Sequence, residues 1–276
     1  MKKRIWLLGA LFVLLYALWD GYHIDRSAYT AVSADLPEAF RGFRVTELSD
    51  LHNRSFGKNY ERLLGAVRET EPDLIAIDGD LFDERTEDIR TLDPLLRGLC
   101  EIAPVYYVTG NHEWITKDLR ETLDHVRALG VTVLENEYVI LEREGQKIAV
   151  AGVHDPNGPW DMKSKKTLVA EIRAELGEDA YILMLAHRNG QLAEWAKLGV
   201  QTVLAGHGHG GLIRLPFVGG LIGVDRELFP TYDAGAFRAG NTTMIVSRGL
   251  GNSVPIPRLF NGPELPVITL ERERST

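Results

Sequence analysis

Cysteine is nearly missing from this chain: 276 residues carry only Cys100. A single thiol excludes an internal disulfide framework and suits either side of a membrane. Its place at the apolar end of an expected helix marks it as a small core residue. Positive charge is also in short supply. With 31 Lys and Arg against 39 Asp and Glu, the formal net charge is −8, and such a chain lacks the basic surface that displaces counterions from nucleic-acid phosphates. No nucleic-acid partner is expected. An anionic substrate is still compatible with this charge if bound cations reverse the local field. Internal repeats and low-complexity tracts are absent too. What remains is a chain with 45% hydrophobic residues, long enough and apolar enough for one large α/β domain.

The first positive feature is Lys2-Lys3-Arg4 followed by an apolar run at residues 5–19. A basic start before an apolar block targets the membrane, and the positive-inside tendency leaves the rest of the chain outside the cytoplasm. At about 1.5 Å per residue the run is shorter than the roughly 30 Å hydrocarbon core, and extension through Trp19 and Tyr22 brings interfacial aromatics into the span. Residues 15–19 make a poor cleavage site. An uncleaved anchor over residues 1–22 is therefore favoured over a signal peptide, which would release a secreted protein, and over a buried helix. Residues 23–41 read as a polar tether, and residues 42–276 as the globular domain.

From residue 43 the chain alternates short apolar strands with helical patterns. Residues 43–48, 74–77 and 105–108 read as strands; the continuous apolar run at 74–77 suits a parallel strand covered on both faces. Tyr60, Leu63, Leu64 and Val67 fall on one helix face. Helices are also expected over 88–100, around Leu119 to Leu129, over 164–176 and near 191–197. Shorter strands follow at 131–134, 138–141 and 148–153, then at 181–185, 202–205, 242–247 and 266–270. Residues 212–240 read as one long loop with little regular structure, and loops of that size in a compact domain are usually functional.

The strand ends carry the chemistry. Asp50-Leu51-His52, Gly79-Asp80-Leu81-Phe82-Asp83, Gly110-Asn111-His112-Glu113, His187 and Gly206-His207-Gly208-His209-Gly210-Gly211 each lie at or just after an apolar run. By itself the last stretch could be a glycine-rich surface turn; its company points to a metal. Ligands beyond the carboxyl ends of strands follow the general rule for α/β sheets. Carboxylates, imidazoles and one amide form an oxygen and nitrogen site suited to manganese, iron or zinc. Asp50, His52, Asp80, Asn111, His187, His207 and His209 are too many for one divalent ion and enough for two sharing a carboxylate. Asp80, on the middle strand, is the natural bridge.

This ordered set of motifs resembles the calcineurin-like metallophosphoesterase superfamily over roughly residues 42–270. With the N-terminal run it is most similar to the membrane-associated bacterial branch. The resemblance implies a fold of two mixed β-sheets packed as a sandwich with helices on the outer faces. It implies one metal held by Asp50, His52, Asp80 and His209, and a second by Asp80, Asn111, His187 and His207. His112 would face the substrate as a catalytic group, with Asp83 orienting its imidazole. The implied chemistry is hydrolysis of a phosphate mono- or diester by a metal-bridging hydroxide attacking in line, with His112 assisting the leaving group.

Several positions depart from the family pattern. Glu84 stands where the phosphoprotein phosphatases place an Arg clamp, with Arg85 next, which speaks against a phosphoprotein substrate. Gly208 and Leu212 replace the usual Thr and Gln, and no ligand is lost. Arg188-Asn189 follows His187, and Arg188 is a candidate substrate contact. An outward-facing anchored domain suits a phosphate ester derived from a lipid head group or the cell wall, or an extracellular one; cleavage of a nucleotide-sugar lipid pyrophosphate is the second reading. An amidohydrolase is disfavoured because His-x-His comes late, and a catalytically silent metal-binding surface protein because every ligand and His112 are present.

Overall fold

The computed structural model describes residues 6, 11, 15, 16, 19–159, 162–253 and 258–273. The strands β1 (Ala28–Ser33), β2 (Arg44–Leu48), β3 (Leu74–Ile77), β4 (Val105–Tyr107) and β5 (Thr132–Val133) join the last strand, β14 (Val267–Arg272), in one six-stranded sheet ordered β1-β14-β2-β3-β4-β5. The strands β6 (Glu137–Arg143), β7 (Gln146–Val153), β8 (Ile182–Ala186), β9 (Thr202–Ala205), β12 (Gly235–Ala239) and β13 (Thr242–Val246) form a second, ordered β12-β13-β9-β8-β7-β6. Both sheets are mixed. β2 to β5 run parallel with β14 antiparallel to β2, and β7, β8, β9 and β13 run parallel with β6 and β12 antiparallel at the two edges.

Period-2 alternation sets the layers. Val45, Leu74, Ala76 and Tyr106 of the first sheet meet Ile148, Val150, Leu183, Leu185, Leu204 and Ile245 of the second in one buried core. The opposite face of the first sheet, with Ile75, Ile77, Val105 and Tyr107, is covered by α1 (Glu61–Arg68), α2 (Asp93–Cys100) and α3 (Leu119–Ala128). Ala149, Ala151, Met184 and Val203 pack under α4 (Lys165–Leu176) and α5 (Leu192–Leu198). The result is a sandwich with helices outside. Pro94 does not break α2, because it occupies the first turn, where no backbone N–H is needed.

Two expectations change. Residues 28–33, read as part of a tether, form edge strand β1, paired in parallel with β14. Ala31 and Ser33 are the two buried residues there, with Tyr29 part-buried on the same face, and the partner lies at the far end of the chain, so local pattern does not reveal it. The expected loop at 212–240 contains a hairpin of β10 (Ile213–Leu215) and β11 (Gly219–Ile222), and then β12. Its glycines and prolines mark the turns and edges of these short strands rather than a lack of structure.

Among the described residues no helix is long and apolar enough to cross a membrane. Most of the apolar run at 5–19 lies outside the described residues. The end of that segment is tied to the domain: Asp20 Oδ2 accepts from the Asn261 backbone N–H at 3.1 Å, and the Tyr16 and Phe260 rings lie 5.0 Å apart.

Candidate metal centre

Every motif singled out in the sequence ends at one edge of the sandwich, because the parallel strands β2, β3, β4, β8 and β9 all deliver their carboxyl ends there. The backbone turns sharply as it leaves them. Asp50, His52, Asp80, His207 and His209 all have positive φ, between 47° and 62°. Asp and His tolerate this region better than most residues, but it still costs roughly 1 kcal/mol or more at each position. Gly79, at φ 105°, lets two of these turns cross: a Cβ there would meet the His187 ring and the Gly110 backbone.

The donors converge in two overlapping sets. Ligand atoms of Asp50, His52, Asp80 and His209 all lie within 4.8 Å of one another, as do those of Asp80, His187 and His207. His52 Nε2 is 3.3 Å from His209 Nε2, His209 Nε2 is 3.4 Å from Asp50 Oδ1, and His187 Nε2 is 3.3 Å from Asp80 Oδ2. Two donors each about 2.1 Å from one ion stand roughly 3.0–3.4 Å apart, so these separations suit ligands of a shared cation. Asn111 joins the second set, with Oδ1 3.2 Å from His187 Nε2.

The protonation pattern suits the same use. Burial pushes His209 down to about 4 and His207 down to about 3, so both present neutral imidazoles. Burial would raise Asp80, but His187 and His52 outweigh it and hold the carboxyl far below its usual range. Asp50 is likewise lowered against its burial, chiefly by His209 and then His187. Its Oδ2 also accepts from Ser49 Oγ at 2.5 Å and from the His207 backbone N–H at 3.0 Å. His187 Nδ1 donates to the Asp78 carbonyl at 2.8 Å, and against its burial the Asp80 and then Asp50 charges raise the imidazole well above its usual value, so a cation at Nε2 would take the place of a proton.

Asp83 does not orient His112. Its Oδ2 stands 3.5 Å from Nδ1 of His52, and it also takes the Arg85 guanidinium. His112 Nδ1 instead pairs with Glu84 Oε2 at 3.0 Å. The cause is a tight turn: Arg85 N–H donates to Asp83 Oδ1 and Thr86 N–H to the Asp83 carbonyl, which points Asp83 inward and leaves Glu84 on the rim. The His112 ring meets His52 edge-on at 4.8 Å.

Arg188 lies at the edge of the second donor set, and Asp155 holds it there. Nε and Nη2 donate to the two Asp155 oxygens at 2.6 and 3.2 Å, and Nη1 donates to His207 Nε2 at 2.8 Å. His154, next to Asp155, turns away to Asn136 and Trp114.

Besides Asp155, three supporting residues had no role in the sequence reading. Glu113 is fully buried and accepts from the backbone N–H groups of Asp80, Leu81 and Gly110 at 2.7–3.0 Å and from Tyr107 Oη at 2.8 Å. It thereby locks the two donor-bearing loops to one another, and its place in Gly-Asn-His-Glu was the available signal. Asn261 and Arg258 hold the last loop: Asn261 Nδ2 donates to the His209 carbonyl at 2.8 Å, and Arg258 donates to the carbonyls of Gly249 and Gly251 at 3.1 and 2.6 Å. Nothing in the local sequence marks these two.

Residues 43–211 match the family described as calcineurin-like phosphoesterase. An uncharacterized metallophosphoesterase of Aquifex aeolicus is 30% identical over 270 residues, spanning 96% of this chain and 97% of that one. Another, YkuE of Bacillus subtilis, is 29% identical over 91% of this chain and 87% of its own length. Among solved structures, a dimetal phosphatase from Danio rerio superposes with a TM-score of 0.52 at 12% identity, covering 83% of this chain and 93% of that chain, a likeness of fold. With the family matched over more than half of the sequence and a relative aligned almost end to end, the chain belongs to the calcineurin-like phosphoesterases and is a hydrolase of phosphoric ester bonds.

Proposed function

We propose that this chain is a two-metal phosphoesterase of the membrane-associated bacterial branch, anchored through residues 1–22 and acting outside the cytoplasm on a phosphate mono- or diester. The observation that carries the reading is Asp80, whose carboxylate belongs to both donor sets. Two divalent ions of manganese, iron or zinc, when bound, supply hydroxide near neutral pH and offset charge on the phosphoryl oxygens.

The residues of the chain do the rest. Asn111 adds an oxygen donor without adding charge to a site that already holds Asp50 and Asp80. His112, outside both sets, delivers a proton to the leaving oxygen, and the Glu84 carboxylate steadies its imidazolium. Arg188, clamped by Asp155, holds a guanidinium beside the second set, where it meets a phosphoryl oxygen. Glu84 on the rim, in the place of a phosphate-clamping Arg, favours a lipid-derived, cell-wall or extracellular ester over a phosphoprotein.

The test uses the full chain purified in detergent. Elemental analysis should find about two divalent metals per chain, and added manganese should support hydrolysis of a chromogenic phosphodiester or phosphomonoester. Two metals bound with no turnover across monoesters, diesters and pyrophosphates marks a silent metal-binding protein and overturns the reading.

A further inference from the structure

Exposed large apolar side chains are not scattered over this molecule. Among the described residues, all except Ile115 belong to the N-terminal segment up to Tyr22, to Phe260, or to the β10–β11 hairpin and its return through Phe229. On the hairpin they are Ile213, Leu215, Phe217, Val218, Leu228 and Phe229, and Phe217 is fully exposed. Large apolar side chains gathered in the open on one surface element mark an interaction site. The backbone adds a second observation. Phe217 and Phe229 sit at φ 64° and 52°, in the left-handed region that favours glycine or asparagine, so large aromatic rings stand in strained turns while staying exposed.

The hairpin has a fixed base and a bare tip. Arg214 Nη1 donates to the Gly210 carbonyl at 3.1 Å and to Asp233 Oδ2 at 2.7 Å, and Asp233 also accepts from the Gly220 N–H at 2.7 Å. The base is continuous with the N-terminal segment. Asn261 donates through Nδ2 to the carbonyls of His209 and Gly211, its backbone N–H donates to Asp20, and its neighbour Phe260 packs on Tyr16. The end of the apolar N-terminal run, the hairpin root and metal-site residue His209 are therefore linked through one residue.

We infer that the 213–229 hairpin is a lipid-contacting element whose apolar tip enters the interfacial layer of the same bilayer that holds the N-terminal run, keeping the metal centre at the membrane surface. This rests on the anchor reading above. The chemistry is that of interfacial insertion: aromatic and aliphatic side chains enter the boundary, while Asp225, Arg226 and Glu227 at the second turn stay hydrated. Arg214 and Asp233 neutralise each other at the base, so apolar burial rather than attraction to anionic lipid drives the contact.

The test uses the full chain with Cys100→Ala and an environment-sensitive fluorophore on either Val218→Cys or Asp179→Cys, the latter in the turn before β8, at the strand end opposite the metal centre. The protein is reconstituted in phosphatidylethanolamine and phosphatidylglycerol vesicles, with and without brominated acyl chains. The expected result is a blue-shifted probe at 218, quenched roughly twofold by bromolipid, and no change at 179. Adding Phe217→Ser and Phe229→Ser should return the 218 probe to water. A chain that floats with vesicles while its 218 probe stays in water overturns the hairpin proposal and leaves the anchor intact; a chain that does not float overturns both. Shielding that follows the protein-to-lipid ratio rather than the bromolipid marks contact between copies and overturns the proposal as well.

Discussion

Oε2 of Glu84 lies 3.0 Å from Nδ1 of His112, while its chain neighbour Asp83 faces Nδ1 of His52 at 3.5 Å. Adjacent carboxylates thus serve two different imidazoles, one outside the donor sets and one within them. Removing either should have separable effects. Glu84→Ala should lower kcat about tenfold with metal content unchanged, a fraction of the roughly 10²–10⁴ expected for His112→Ala. Asp83→Ala should weaken metal binding about 10–100-fold, as loss of a carboxylate behind a ligating histidine does. Steady-state kinetics beside metal titration measures both, and unchanged metal affinity in Asp83→Ala would remove that residue from the site.

Asp80→Asn should empty both positions. The amide keeps the shape, but it lacks the charge and the second anionic oxygen that two dications share. Elemental analysis should fall from about two metals per chain to well under one, with the circular dichroism spectrum retained. A variant that still carries two metals contradicts the shared carboxylate.

Glu113→Ala should destabilise the fold rather than act on chemistry alone. It leaves the N–H groups of Asp80, Leu81 and Gly110 and the Tyr107 hydroxyl buried without their acceptor. The loss should reach about 3–5 kcal/mol in chemical denaturation, since each orphaned buried group costs about 1–3 kcal/mol and relaxation recovers part. A loss within experimental scatter would mean that other groups or water already satisfy those donors.

Glu47 and Asp78 give a pH dependence with a definite sign. Both are fully buried at the ends of β2 and β3. Burial and then the Asp78 charge raise Glu47 well above its usual value, and burial raises Asp78 to about 7. A carboxyl with a raised folded pKa holds its proton in the native state after the unfolded chain has lost it. Stability from this pair is therefore present below about pH 4 and falls as pH rises toward and past 7, by at most about 1.4 kcal/mol per pH unit for each proton. Glu47→Gln removes one titrating group and should flatten that decline. Urea denaturation from pH 5 to 8 reads it directly, and parallel curves for the two proteins would contradict the assignment.

Much of the site was legible in the chain because its ligands sit where apolar runs stop. Asp50, Asp80, Asn111, His187 and His207 each follow a buried strand by only a few residues, and parallel strands deliver such positions to one edge whatever the loops between them do. The pairing of Asp80 with both donor sets followed from its place on the middle strand. The partner of His112 was not legible, because a single turn at residues 83–86 decides whether Asp83 or Glu84 faces it. Asp155 escaped notice for the same reason: its value lies in where Arg188 points.

Sequence alone determined the helices, the strands that carry the ligands and the donor types, because strand burial, helix periodicity and ligand chemistry are properties of short segments. Tertiary structure decided the rest. It placed β1 beside β14, drew Asn261 and Arg258 under His209, folded residues 213–222 into a hairpin, and fixed which carboxylate supports which imidazole. Each of these joins groups far apart in the chain or turns on a few backbone angles, and hydrogen bonds between distant segments form only once the whole sandwich has closed.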